Sequence, residues 1–177
     1  MAGNPPRLLD VDRGTSRPVR GRLSRSDGGR FTLTERSDGG PFTLGDRRTG
    51  ARHRIARPTP DLWSGSGLPS PDGRLLAVEF VDLSWSRVKG QVSDIWLLDL
   101  RGRRWRRLPG MPLITAVKFM SMAWAGDGRL VLVGDFDRFG EALAVWRPGQ
   151  DHLAVRRIDL PSYDGSDSFA VWPAARP

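Results

Sequence analysis

The chain has 177 residues, enough for one domain with a sizeable core, and its 28 Lys and Arg against 20 Asp and Glu leave a formal charge of +8. It has no Cys, which excludes a disulfide scaffold and thiolate chemistry. No apolar run reaches the ~18–20 residues of a membrane helix. The charge invites a nucleic-acid partner, but every basic residue except Lys89 and Lys118 is Arg. A phosphate surface accepts either cation, so this ratio reads as a coding bias and nucleic acid is set aside.

Residues 1–6 are expected to be disordered, because Pro5 and Pro6 interrupt regular structure. The opening MAGNPPRLLD lacks a charged region followed by an apolar one, so it is not a secretory signal. As written, the sequence implies a cytoplasmic protein; if residues are missing from the front, an exported or membrane-anchored one. RLLDVDRGTSRPV (7–19) reads as a hairpin. From about residue 20 to 56, an Asp-Gly pair at Asp27 leads to Phe31-Thr32-Leu33-Thr34, then Phe42-Thr43-Leu44, a turn at 48–50, and a basic strand at 51–56. Between 62 and 108 the same order returns. SPDGR (70–74) leads into Leu75–Phe80, then Ile95–Leu100, a turn at Arg101-Gly102, and Arg104–Leu108. Between 117 and 160 it returns again, with Phe119–Trp124, AGDGR (125–129), Leu130–Val133, Leu143–Trp146, Pro148-Gly149 and Leu153–Ile158. Phe169–Trp172 matches the strand that opens each unit, and 173–177 is a tail.

The Asp-Gly pairs at Asp27, Asp72 and Asp127 are 45 and 55 residues apart. Four short strands per repeat, joined by tight turns, describe the blade of a β-propeller. The expected fold is therefore all-β: an array of four-stranded antiparallel blades, three of them full, with a half blade at 7–19 and a closing strand at 169–172. Asp27 to Leu44 spans 17 residues and Asp127 to Val145 spans 18, but Asp72 to Leu98 spans 26. The middle unit thus carries an insertion near Asp82–Ser93. Alternation in Phe31–Thr34 predicts one wet face on the first blade, while the continuous runs at 75–78 and 130–133 predict burial on both faces. An arc of this size leaves unpaired edges that could self-associate, and a propeller usually has 4–8 blades. The chain is thus expected to be either a small, imperfectly closed ring or, as the blade count favours, a piece of a longer propeller.

The S-P-D-G-R turn before an apolar strand, and a further strand ending in Asp-x-x-x-Gly or a similar turn, resemble TolB-type and WD-like β-propeller repeats. The residues that carry the resemblance are Ser70–Phe80, Ile95–Gly102 and Ala125–Gly149, and it extends over most of 20–172. The stricter WD signature is missing: Trp96 is followed by Leu97 and Trp146 by Arg147, and no Gly-His pair opens a repeat. The resemblance implies a non-catalytic interaction platform, though a fold hosts many functions.

No constellation of catalytic residues emerges, so the chain is read as not an enzyme, without cofactor or metal. The Asp-Gly carboxylates each belong to a different blade and cannot converge on one ion, so turn formation explains them. Asp27 has Gly29 two positions on but Arg25 two positions before, which breaks the Asp box of sialidase propellers. His53 and His152 fall on fourth strands of different blades, a poor start for a metal pair. RGRRWRR (101–107) falls on an outer strand, where a solvated face accounts for it. The tryptophans mostly lie in strands, where packing between blades explains them. Trp85 differs: it sits in the insertion with Arg87 and Lys89, and the equivalent loop of the next blade offers Asp137, Arg138 and Phe139. Aromatic and charged residues on neighbouring loops of one face make a plausible contact patch for a protein partner that the sequence does not name. The competing reading is a Trp85 folded back over a blade edge. The alternative to an interaction module is an accessory propeller domain of a larger enzyme, or of an exported or membrane-anchored protein, whose active part lies outside these residues.

Overall fold

A computed structural model describes residues 7–10, 15–18, 22–24, 30–35, 40–59, 63–82, 91–111, 113–136 and 140–157. The fold is all-β, with every regular element among these residues a strand and every pairing antiparallel. Strands β1 (Arg7–Asp10) and β2 (Thr15–Pro18) form an isolated hairpin. A four-stranded sheet follows in simple order: β3 (Arg22–Ser24), β4 (Phe31–Glu35), β5 (Phe42–Asp46) and β6 (Arg52–Ile55). The next four strands repeat that order: β7 (Trp63–Pro69), β8 (Leu75–Asp82), β9 (Gln91–Asp99) and β10 (Arg104–Arg107). So do the last four: β11 (Leu113–Trp124), β12 (Leu130–Phe136), β13 (Gly140–Trp146) and β14 (Ala154–Arg157).

The second and third units are joined into one eight-stranded sheet. β11 is twice the expected length: its last residues pair with β12, while Leu113–Thr115 pair with Gln91–Ser93 of β9, with a shift of register between. The insertion supplies that partner. It lengthens the β8–β9 hairpin to the Asp82–Val92 pair. The expected strand at Ile95–Leu100 therefore begins four residues earlier, at Gln91.

Two buried clusters hold the units together. On one side of the middle unit, Leu76, Val78, Phe80, Leu98 and Leu100 meet Leu33, Phe42, Leu44 and Ile55 of the first. On the other, Ala77, Ile95 and Leu97 meet Trp124, Leu130, Leu132, Phe136 and Trp146 of the third. The continuous apolar runs of β8 and β9 arise from this: successive side chains point to opposite faces, and both faces are dry. In β4, Leu33 and Glu35 are buried while Thr32 and Thr34 are partly exposed, the alternation expected of a sheet with one wet face. Aromatic contacts cross the first join and brace the third unit internally. Trp105 packs at 5.6 Å from Phe42 and 5.8 Å from Phe80, and Trp124 lies 6.5 Å edge-on to Trp146; such pairs add about 0.5–1.5 kcal/mol beyond area burial. The indole N–H of Trp124 donates to the Leu68 carbonyl at 2.9 Å, tying the first strand of the third unit to that of the second.

Candidate functional site

Each unit has two ends. At one end lie the second-to-third-strand loops; at the other lie the first-to-second and third-to-fourth turns. The six residues singled out from the sequence, Trp85, Arg87, Lys89, Asp137, Arg138 and Phe139, lie outside the described residues. Their anchors are described: Asp82 and Gln91 flank one loop, Phe136 and Gly140 the other. Those anchors lie at the same end of neighbouring units. Residues 1–6 and the closing strand 169–172 also lie outside the described residues.

The opposite end carries a feature that the sequence did not disclose. A groove of about 760 Å³ runs between the second and third units, walled by the two Asp-Gly turns, Trp105, Trp124 and three arginines, Arg74, Arg104 and Arg106. The turns are built by their carboxylates. Asp72 accepts from the Ser70 hydroxyl at 2.6 Å and the Arg74 amide at 3.0 Å, and Gly73, at φ 66°, closes onto the Ser70 carbonyl. Asp127 accepts the Arg129 amide at 3.2 Å and pairs with its guanidinium at 2.6 Å, with Gly128 at φ 83°. Asp99 accepts the amides of Arg101 and Gly102, both at 2.9 Å. These bonds hold all three carboxyls below the ordinary range: the Ser70 hydroxyl acts on Asp72, the Gly102 amide on Asp99 and the Arg129 side chain on Asp127.

The arginines of the RGRRWRR cluster are exposed, as a solvated face requires, with Trp105 half-buried among them. Strand alternation splits the cluster. Arg104 and Arg106 turn toward the third unit, where the Arg106 guanidinium lies 5.0 Å over the Trp146 ring. Trp105 turns the other way, onto Phe42 and Phe80, and its indole Nε1 is buried without an acceptor. Arg107 reaches Asp94 at 2.8 Å, and Asp94 also accepts the Trp96 indole N–H at 2.9 Å. Arg101 and Arg103, in the turn before β10, line a smaller cleft of about 230 Å³ against the first unit, with Arg30, Asp46 and His53. Arg103 holds φ at 57°, and its guanidinium contacts the His53 Nδ1 at 2.8 Å. His53 lies in β6 as expected, but His152 does not reach a fourth strand; it sits in the bend before β14, on Asp151. Among the described residues no group of three His, Cys, Asp or Glu side chains is placed to hold a metal ion.

At the first join a polar group lies among the aromatics. Arg57 pairs with Glu35 and lies 5.3 Å over Phe42 and 5.8 Å over Phe80, while the Ser64 hydroxyl also donates to Glu35. Both partners are largely buried, so the pair fixes how the sheets meet more than it adds stability. No sequence signal marks it, because its members lie on β4, β7 and the segment after β6.

Comparisons with known proteins bear on the fold. No protein-family model matches the sequence, and no curated protein matches it. Among solved structures, the chain is similar to Pyrococcus horikoshii acylaminoacyl peptidase. In its orthorhombic crystal form the TM-score is 0.55 at 13% identity, over 85% of this chain and 27% of that one. In its uncomplexed form the values are 0.54, 14%, 84% and 27%. An oligogalacturonate lyase in complex with manganese gives a TM-score of 0.41 at 12% identity, over 84% and 57%. The peptidase match falls on a β-propeller-type fold, and the chain spans about a quarter of that protein's length.

Proposed function

We propose that this chain is a non-catalytic β-propeller module that binds another protein through the loop end carrying residues 82–93 and 135–141. Its units, about 20–56, 62–108 and 117–160, act as full blades of a TolB- or WD-like array, with partial blades at 7–19 and 169–172. The observation that carries the reading is the insertion. It extends the β8–β9 hairpin and stitches the middle unit to β11, so the segment bearing Trp85, Arg87 and Lys89 is anchored at both of its ends by paired strands. A rigid base lowers the ordering cost of a binding loop, and aromatic and Arg residues are the usual anchors of interfaces.

The test is quantitative affinity capture with the immobilised chain, comparing wild type with a Trp85→Ala, Arg87→Ala double variant. Proteins that bind through this end should be retained at least about tenfold less by the variant, the loss typical of one or two anchors. Equal retention would remove the loop face from the proposal. A second reading, a propeller domain attached to a catalytic part outside these residues, is supported by the peptidase likeness, since the similar portion is a minority of that chain. The reading frame flanking these residues separates the two: a catalytic motif in continuous frame favours the enzyme, further blades alone favour the module.

A further inference from the structure

The geometry points to a binding site for a phosphate monoester in the cleft of about 230 Å³ between the first and second units, at their turn end. The cleft continues the first join. Phe31 and Asp46 are cross-strand partners, as are Leu44 and His53. By strand alternation all four belong to the sheet face that packs against the middle unit. At the turn end that face meets the turn between β9 and β10, whose Leu100, Arg101 and Arg103 close the cleft.

The charge here does not balance. Three arginines and one aspartate line the cleft, whereas the larger groove between the second and third units matches three arginines with three aspartates. The one aspartate is engaged. Asp46 accepts from Nη2 of Arg30 at 2.9 Å and Nε at 3.3 Å, and from the Arg48 amide at 2.9 Å. Asp99, at the base of the turn, accepts the amides of Arg101 and Gly102 and lines the other groove. Neither Arg101 nor Arg103 pairs with a carboxylate among the described residues. Two guanidinium charges are therefore left over, two positions apart on one turn. Arg103 is also held in place. It keeps φ at 57°, where Gly50 of the equivalent turn adopts 73° with no Cβ to strain. Its guanidinium donates to His53 Nδ1 at 2.8 Å. That bond uses one of its five N–H donors and, since Arg has no acceptor, leaves the ring proton on Nε2. Strained residues persist where their surroundings hold them, and they cluster at ligand clamps.

A phosphate monoester fits this excess. It carries about −1.5 to −2 at neutral pH and offers three acceptor oxygens, so one group meets two guanidinium forks. A carboxylate brings a single charge and two oxygens, enough for one fork. A nucleic-acid strand draws its affinity from many phosphates in a row, and this cleft is walled in by Phe31, Leu44 and Leu100.

The test is fluorescence polarisation of a labelled Gly/Ser pentapeptide with one central phosphoserine, titrated with the intact chain. Its competitors are the unphosphorylated peptide, the same peptide with Glu at the centre, free phosphoserine, inorganic phosphate and a single-stranded oligonucleotide. The phosphopeptide should bind at least about tenfold tighter than the unphosphorylated peptide and tighter than the Glu peptide, with an affinity that falls as salt rises. Arg101→Gln with Arg103→Gly should lose at least that factor, while Arg147→Gln, in the exposed turn of the third unit, should not. Arg103→Gly alone relieves the backbone and should melt at or above wild type, so weaker binding by it reports the site and not the fold. Competition by free phosphoserine or inorganic phosphate at the phosphopeptide's own concentration supports the site with a small phosphate as its source. A requirement for the peptide supports it with a phosphorylated partner as its source. Equal affinity for the three peptides, or wild-type affinity in the double variant, overturns the proposal. So does tighter binding of the oligonucleotide, which would assign the cleft to nucleic acid. The loop variant Trp85→Ala, Arg87→Ala should leave this binding unchanged, so failure of one site is distinguishable from failure of the other.

Discussion

Two residues in equivalent turns show how backbone and side chain can disagree. Gly50, four residues after Asp46, adopts φ 73°, while Arg103, four residues after Asp99, adopts φ 57°. For a residue with a Cβ this region costs roughly 1–2 kcal/mol, partly offset in the comparison by the greater unfolded-state entropy of Gly. Arg103→Gly should therefore raise stability by up to about 1 kcal/mol, a melting shift of about 2–4 °C for a chain of this size. Gly73→Ala and Gly128→Ala should shift it the other way by a similar amount. Their φ values are positive, and a Cβ there would meet nothing within 4 Å, so strain alone acts. Gly126, with equally open surroundings and no positive φ, is the control and should tolerate Ala. Thermal unfolding of the four variants checks all of this; a neutral Gly73→Ala would show that the turn relaxes. The Asp-Gly turns were legible in the sequence because their chemistry is local: an Asx bond and a residue that accepts φ > 0. The strained Arg103 was not, since nothing in a run of arginines says which one bends the chain.

Among the strands, β8 and β9 carry the most information and the largest surprise. The apolar run of β8 announced burial on both faces, and both faces are indeed packed. The length of the two strands was misjudged, because Gln91–Ser93 reads as loop and becomes strand by pairing with the end of β8 on one side and Leu113–Thr115 on the other. Long-range pairing is not written in a local pattern. The same hairpin holds Glu79, which accepts the Ser93 hydroxyl at 2.7 Å. Burial raises its pKa despite that bond. A carboxyl whose folded pKa is raised destabilises the fold while ionised, and that cost disappears as pH falls through the folded value. Glu79→Gln keeps an acceptor for Ser93 and removes the charge. It should melt above wild type at pH 7 by the equivalent of about 1 kcal/mol, with the gap closing toward pH 4. A gap independent of pH would mean that packing, not ionisation, is responsible. The exposed turn carboxylates work in the opposite sense. Asp46, lowered to about 2 chiefly by the Arg30 side chain, contributes above its unfolded pKa and ceases to as pH falls toward 2; Asp72, Asp99 and Asp127 follow the same sign.

At the scale of the molecule, the three units pack in sequence, and among the described residues the series has an outer member. The inner face of the third unit joins the core through Leu130, Leu132, Phe136, Ala144 and Trp146. Its outer face carries Val131, Leu143 and Val145, all half-buried, beside the buried Val133, and none of the four belongs to either core cluster. The sequence registers this surface as the continuous run Leu130–Val133, since a strand that is apolar on both sides anticipates a neighbour on both sides. In a propeller-type fold that neighbour is the next blade, whether from the same chain, a longer one or a second copy. Contiguous apolar faces of this kind drive association. The expected behaviour of the 177-residue chain in solution is therefore self-association, seen as a mass by light scattering at twice the 19.7 kDa chain or above. Leu143→Asp with Val145→Asp, both half-buried in β13, should shift that mass toward the monomer while the far-ultraviolet circular dichroism stays that of a β protein. A wild-type chain already monomeric, and unable to bind a dye specific for exposed apolar surface, would mean that residues of this same chain outside the described set cover the face. The same aspartates would then unfold the protein instead of dissociating it, because each would bury a charge without a partner.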